Sequence, residues 1–264
     1  MNITALVENT TETELKPIHG LSFYIETKLH KILFDLGPDH TLIENAEKKD
    51  IDLSKIDTVI ISHGHYDHGG ALKDFLAVNS CAEIYVQRDA FQPHYSRTGS
   101  TSIPIGIDDE LKSNKQVVLL EGDFIIDDEL SLFIADTRDQ CYSPVNDVLY
   151  EGRRKDAFEH EQNLIVSENK TVLFMGCGHA GVVNIMKKAE KFQPDYCIGG
   201  FHLFNPVSEE TVSGQLLNDI GASLQKYQNT EFYTCHCTGR KAFDYLSHRM
   251  NNLHYFSCGK MMEL

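Results

Sequence analysis

Four side chains able to bind a metal ion fall within six positions, His63-Gly64-His65-Tyr66-Asp67-His68. No other feature of the chain limits its fold so strongly. The preceding run, Ile56–Ser62, is β-branched and apolar and reads as a buried strand. The following run, Gly69-Gly70-Ala71-Leu72, reads as a glycine turn feeding a helix. The cluster therefore sits where a strand ends and a helix begins, and its side chains converge on a point outside a sheet. Alternating His-x-His sends both imidazoles to one side of an extended chain. The turn then carries Asp67 and His68 toward a second, adjacent position. Two neighbouring cations are the simplest use of these ligands. Imidazole with carboxylate suits zinc, iron or manganese, whereas calcium and magnesium favour oxygen.

Charge and composition narrow the classes of function. The formal net charge is −15 over 264 residues, so no basic face is expected to displace counterions from a nucleic acid. A local basic pocket for a small anion remains compatible with that balance. No run approaches 18 apolar residues, so no membrane span is expected, and the N-terminal residues lack the pattern of a signal peptide. The seven cysteines form no C-x-x-C framework and read as reduced thiols of a cytoplasmic protein. The length suits one α/β domain, 1–264, with loop-rich insertions near 88–114 and 137–161. Arg97 in the first insertion, and Arg153-Arg154-Lys155 in the second, are candidate anion grips, although a solvated surface position is favoured for both. A lid or substrate loop is one reading of 88–114.

The second half repeats the strand–ligand–helix pattern. Val172–Met175 is followed by Gly176-Cys177-Gly178-His179 and a helix over Val182–Phe192. Tyr196–Phe201 leads to His202, and a long helix is expected over Glu209–Tyr227. Phe232–Cys235 leads to His236, flanked by Cys235 and Cys237, and a last strand is expected at His254–Ser257. His236 and His179 are the strongest additional metal ligands. Cys177 competes with His179, since a thiolate binds zinc well. His160 is divided between ligand, proton-transfer group and surface. His202, after Gly199-Gly200, suits a role toward substrate. Asp35, at the end of Lys31–Phe34, either orients the ligand loop or caps the next helix. His30, His40, His248 and His254 are given no chemistry.

Phe34-Asp35-x-Gly37, His63-x-His65-x-Asp67-His68, Gly176-Cys177 and His236 together resemble the metallo-β-lactamase superfamily over nearly the whole chain. The resemblance implies an α/β fold, an αββα sandwich with a dinuclear site along one edge. His19-Gly20-Leu21-Ser22-Phe23, Gly176–Asn184, Gly199–Leu203 and His236–Gly239 are similar to one subgroup. Its proteins resemble 7,8-dihydropterin-6-methyl-4-(β-D-ribofuranosyl)aminobenzene-5′-phosphate synthase. Cys177 stands where the superfamily usually places a bridging aspartate.

The expectation is a hydrolase in which two divalent metal ions, zinc ahead of iron or manganese, activate water. His63, His65 and His179 make one set of ligands, and Asp67, His68 and His236 the other. Asp67 also accepts the proton of the nucleophile, and His202 and Cys177 shape the pocket or assist the leaving group. The partner is a small molecule, with a phosphate ester or pterin-like compound as the class the subgroup implies. Self-association into a homo-oligomer is compatible with the sequence. The rivals are a di-iron oxidoreductase on the same fold and a non-catalytic metal-dependent ligand sensor.

Overall fold

A computed structural model describes all residues, 1–264. Two seven-stranded mixed sheets carry the architecture. The first runs, edge to edge, Met261–Glu263, Asn2–Val7, Ser22–Glu26, Lys31–Phe34, Thr58–Ile60, Glu83–Gln87 and Val117–Leu120. The second runs Leu253–Tyr255, Glu231–Thr234, Tyr196–Gly199, Thr171–Phe174, Asn163–Ser167, Leu130–Phe133 and Phe124–Ile125. Their facing sides share one core that includes Ile3, Phe23, Ile32, Phe34, Leu164, Val166, Phe174 and Ile198. Phe23 stacks on Phe256 at 5.5 Å between ring centroids and meets Phe174 at 6.1 Å.

The outer faces are covered as well. Helices Thr41–Lys48 and Leu72–Val78 close the first sheet through Leu42, Ala46, Leu72 and Phe75. Helices Val182–Ala189, Gly214–Leu224 and Arg240–Ser247 close the second through Ile185, Met186, Ile220 and Leu246. Burial on both faces explains why Thr58–Ile60 and Thr171–Phe174 read as continuous apolar runs rather than alternating ones. The result is the expected αββα sandwich.

Four strands of each sheet run parallel to their neighbours, and these position the site. Lys31–Phe34 pairs in parallel with Thr58–Ile60. Thr171–Phe174, Tyr196–Gly199 and Glu231–Thr234 do the same in the second sheet. Residues needing a crevice lie beyond the carboxyl ends of such strands.

Three local expectations are corrected. Segments 88–114 and 137–161 are not loose insertions. His94–Thr98, Thr101–Pro104, Leu149–Glu151 and Arg154–Lys155 pair with one another as a four-stranded sheet. Their polar, Gly- and Pro-containing sequence hid a hairpin within each segment and the one strand pair, Leu149–Glu151 with His94–Thr98, that joins the two. The helix expected at Glu209–Tyr227 spans Gly214–Leu224, capped by the Ser213 hydroxyl, and a hairpin of Phe204–Asn205 with Glu210–Thr211 precedes it. The last strand is Met261–Glu263, which the sequence reading missed, since three residues carry no periodicity.

Candidate metal centre

Five strand ends deliver the site, two from the first sheet and three from the second. Asp35 follows Lys31–Phe34, His63 and His65 follow Thr58–Ile60, and Cys177 and His179 follow Thr171–Phe174. His202 follows Tyr196–Gly199, and His236 follows Glu231–Thr234. Asp35, His202 and His236 hold φ of 61°, 51° and 50°, a left-handed conformation that L-residues seldom adopt. Such strain persists where the surroundings over-determine it, and functional sites are its usual location.

The three histidines expected at one position converge. His63 Nε2 lies 3.0 Å from His65 Nδ1 and 3.3 Å from His179 Nε2. Their outer hydrogen bonds settle which nitrogens carry protons. The Ser62 hydroxyl donates to Asp35 Oδ2 at 2.7 Å, so its oxygen accepts from His63 Nδ1 at 2.9 Å. His179 Nδ1 donates to Asn146 Oδ1 at 2.9 Å. Both Nε2 atoms therefore turn lone pairs toward the same point. Burial, reinforced by the neighbouring histidines, pushes His63 and His179 well below the ordinary imidazole value, so they stay neutral. Lone pairs crowded at this distance repel one another unless a cation lies among them. A metal with nitrogen ligands at about 2.0–2.1 Å gathers donors at such spacings.

The second set lies beside it. His68 Nε2 is 3.3 Å from His236 Nε2 and 3.2 Å from the Cys177 sulfur. Asp67 Oδ2 is 3.2 Å from His236 Nε2 and 3.8 Å from His68 Nε2. His19 joins this set, its Nε2 3.2 Å from Asp67 Oδ2. The sequence had offered His19 only as part of the His19–Phe23 stretch similar to the subgroup, with no role at the metal. Burial acts against a charged His68, but Asp35 and Asp67 outweigh it and push its pKa up to about 9. Burial acts against the Asp67 anion too, yet His68, His19 and His236 hold its carboxyl well below the usual range. The position thus favours positive charge, which a bound divalent cation would supply. Burial pushes the Cys177 thiol up, so its ionisation also needs a cation beside it.

Three buried carboxylates pin the loops that bear these residues. Asp35 accepts from Ser62 N at 2.7 Å and from His68 Nδ1 at 2.6 Å, which decides its role as orienter rather than helix cap. Glu161 accepts from the backbone N–H groups of His179 at 2.6 Å and Ala180 at 2.8 Å. Glu8 accepts from His236 N at 2.7 Å, and Asn9 Oδ1 from His236 Nδ1 at 2.8 Å. Glu8, Asn9, Asn146 and Glu161 were missed, because a lone acidic or amide residue far away in sequence carries no local signal. The Asp35 bond to the His68 ring fixes its orientation and raises its basicity, whereas Glu161 and Glu8 hold the backbone of the loops.

His160 is not free to bind metal. Its Nδ1 accepts from Gly64 N at 3.1 Å and its Nε2 donates to Asp156 at 3.1 Å. Asp156 also takes His94 Nδ1 at 3.1 Å, and although burial opposes the anion, His160 and His94 hold it well below the usual carboxylate range. The cluster wedges under Gly64, where an added Cβ would stand 2.2 Å from the Ala90 carbonyl.

The centre opens into a cavity of about 380 Å³. His65, Asp67, Cys177, His179, His202 and His236 form its floor, and apolar side chains its walls. His202 is buried there, its ring 4.1 Å from that of His179, with neither nitrogen hydrogen-bonded. The candidate anion grips lie away from the cavity, in line with the surface position favoured for them. Arg97 packs over the Tyr150 ring at 4.5 Å, and Arg154 pairs with Glu151 at 3.7 Å.

Fold and site together define an αββα protein with clusters of side chains able to hold a metal at its strand ends. A family model of the metallo-beta-lactamase superfamily matches residues 15–139. The chain is 30% identical to an uncharacterized protein of Methanocaldococcus jannaschii, over 98% of this chain and 99% of that one. It belongs to the metallo-β-lactamase superfamily, whose members bind divalent metals. It is also 29% identical to the 7,8-dihydropterin-6-methyl-4-(beta-D-ribofuranosyl)-aminobenzene-5'-phosphate synthase of Methanocaldococcus jannaschii, covering 85% of this chain and 82% of the synthase. Among solved structures it superposes on Tm1679, described as a metal-dependent hydrolase of the beta-lactamase superfamily. That match has a TM-score of 0.82 and 27% identity, over 100% of this chain and 99% of the other. No helix is long and apolar enough to cross a membrane.

Proposed function

We propose that this protein is a dinuclear-metal-dependent hydrolase of a small molecule. One observation carries the reading: two adjacent groups of buried donors, His63/His65/His179 and Asp67/His68/His236 with Cys177, lie together, and His65, Asp67, Cys177, His179 and His236 of them line an open cavity. His63, His65 and His179, with Asp67, His68 and His236 beside them, would hold divalent cations, zinc foremost, which would supply Lewis-acid activation of water and of the bond to be broken.

The chain's own groups supply the remaining steps. Asp67, held ionised and bordering the cavity, accepts the proton of the attacking water through its carboxylate. His202, whose ring nitrogens have no protein partner, delivers a proton to the leaving group. Glu161, Asp35 and Glu8 keep the donor atoms in register while charge changes. The apolar walls exclude bulk water around the reacting bond. The similarity to a synthase acting in pterin chemistry supports a flat, ring-bearing substrate, and a phosphate ester is one class of reacting group.

Elemental analysis of the purified protein tests the reading. About two zinc or manganese ions per chain in the wild type, with fewer in His179→Ala, are expected. About two irons favour redox chemistry instead, and no metal in protein supplied with metals overturns the proposal.

A further inference from the structure

The walls above the metal centre have a composition of their own. Ile103, Pro104 and Ile105 form one side, Val145, Val148 and Leu149 a second, and Phe204, Pro206 and Val207 a third. No lysine or arginine lines the cavity, and Asp67 is its only carboxylate. At the mouth, Ile103 is 51% and Val207 64% exposed, and Tyr66 beside them is 42% exposed. Large apolar groups left open around a concavity are the kind of surface a ligand covers.

Each wall is tied to a loop that carries metal-binding side chains. Tyr66 N donates to the Ile105 carbonyl at 2.8 Å, which joins the first wall to the His65–Asp67 loop. Asn146, within the second wall, holds both the ring and the carbonyl of His179. Leu203 N donates to the Cys237 carbonyl at 3.0 Å, which fastens the base of the third wall beside His236. The apolar surface is therefore registered against the reacting position.

Resting on the hydrolase reading above, and choosing a carboxylic ester over the phosphate ester it also allows, we infer that the substrate is an uncharged ester whose apolar body lies between these three walls. Its single polar group is the one at the metal centre. A nucleotide or polyphosphate would bring further charges to walls that offer no cation, and a buried unpaired charge is strongly disfavoured. In the reaction on a carboxylic ester, water forms the new bond to the acyl carbon and the C–O bond to the leaving group breaks. One proton of that water passes to Asp67, and the leaving oxygen takes a proton from His202.

The test uses the metal-loaded full chain and reads binding separately from turnover. Calorimetric titration compares acetate, 4-phenylbutyrate and adenosine monophosphate, and a parallel assay follows p-nitrophenyl esters of acetate, butyrate and octanoate. Phenylbutyrate should bind at least about tenfold more tightly than acetate, and kcat/KM should rise roughly fourfold per methylene until the walls are filled. Val207→Asp should weaken phenylbutyrate binding about tenfold with the metal content per chain unchanged, and Ile103→Asp should do the same. Adenosine monophosphate binding more tightly than phenylbutyrate overturns the inference, as does a Val207→Asp protein with undiminished phenylbutyrate affinity. Tight phenylbutyrate binding without hydrolysis of any ester supports the apolar pocket and removes the hydrolase reading instead.

Discussion

Glu161→Gln isolates the contribution of one pinned loop. The wild-type carboxylate is buried and accepts two backbone N–H groups, from His179 at 2.6 Å and Ala180 at 2.8 Å. Hydrogen bonds to a charged group contribute about 1.5–3 kcal/mol each. Glutamine keeps one accepting oxygen but sets an NH2 group against the other backbone N–H. The variant therefore loses one such bond, or about 1.5–3 kcal/mol. For a protein of this size that is a fall in Tm of roughly 3–12 °C. The displaced loop carries His179, so affinity for one cation should fall about 10–100-fold, the usual effect of removing a group that orients a ligand. Chelator competition read by metal content, alongside calorimetric unfolding of the metal-free protein, measures both quantities. Glu8→Gln is the matched control, expected to weaken the cation nearer His236 rather than the one nearer His179. Wild-type Tm and two wild-type affinities in Glu161→Gln would refute the argument and leave Asn146 as what positions His179.

Two further outcomes follow from the same geometry. His202→Ala should lower kcat about 100-fold on alkyl esters, whose leaving group needs a proton, and much less on p-nitrophenyl esters, with metal content unchanged; equal losses on both would remove its proton-donor role. At the far end of the sandwich, His30 bonds Asp57 at 2.9 Å and Asp127 at 2.7 Å. Burial disfavours its charged form, but the two carboxylates outweigh burial and raise its pKa above the ordinary value. A raised histidine adds stability that is fully present below the unfolded pKa of about 6.5 and is lost as pH rises through the folded value. The difference in urea midpoint between wild type and His30→Gln should accordingly be largest near about pH 6 and shrink toward about pH 9. A difference independent of pH would show that His30 acts through packing alone.

The recognition of the fold rested on the order of short signals. Apolar runs ending in Asp35, His63, Cys177, His202 and His236 are visible in sequence because strand, turn and ligand are contiguous. Burial on both faces removes alternation, which is why the strands of the sandwich could be read as runs. The small sheet made by segments 88–114 and 137–161 was not legible, since it pairs strands such as Tyr95 with Tyr150 across more than fifty positions. Nor did sequence separate His160 from His179. Both precede or follow core strands, and only the packing of Asp156 and Gly64 against His160 occupies its nitrogens.

The sequence by itself therefore determined the His63–His68 cluster and the strand ends that feed the site, because local spacing encodes them, and through its resemblance to the metallo-β-lactamase superfamily it implied the αββα class. Tertiary structure decided that His19 joins Asp67, that Glu8 and Glu161 hold the loops of His236 and His179, and that the cavity walls are apolar and free of cations. Those properties arise between residues distant along the chain. Partnership at that range is set by how the two sheets and their loops pack, and no local pattern records it.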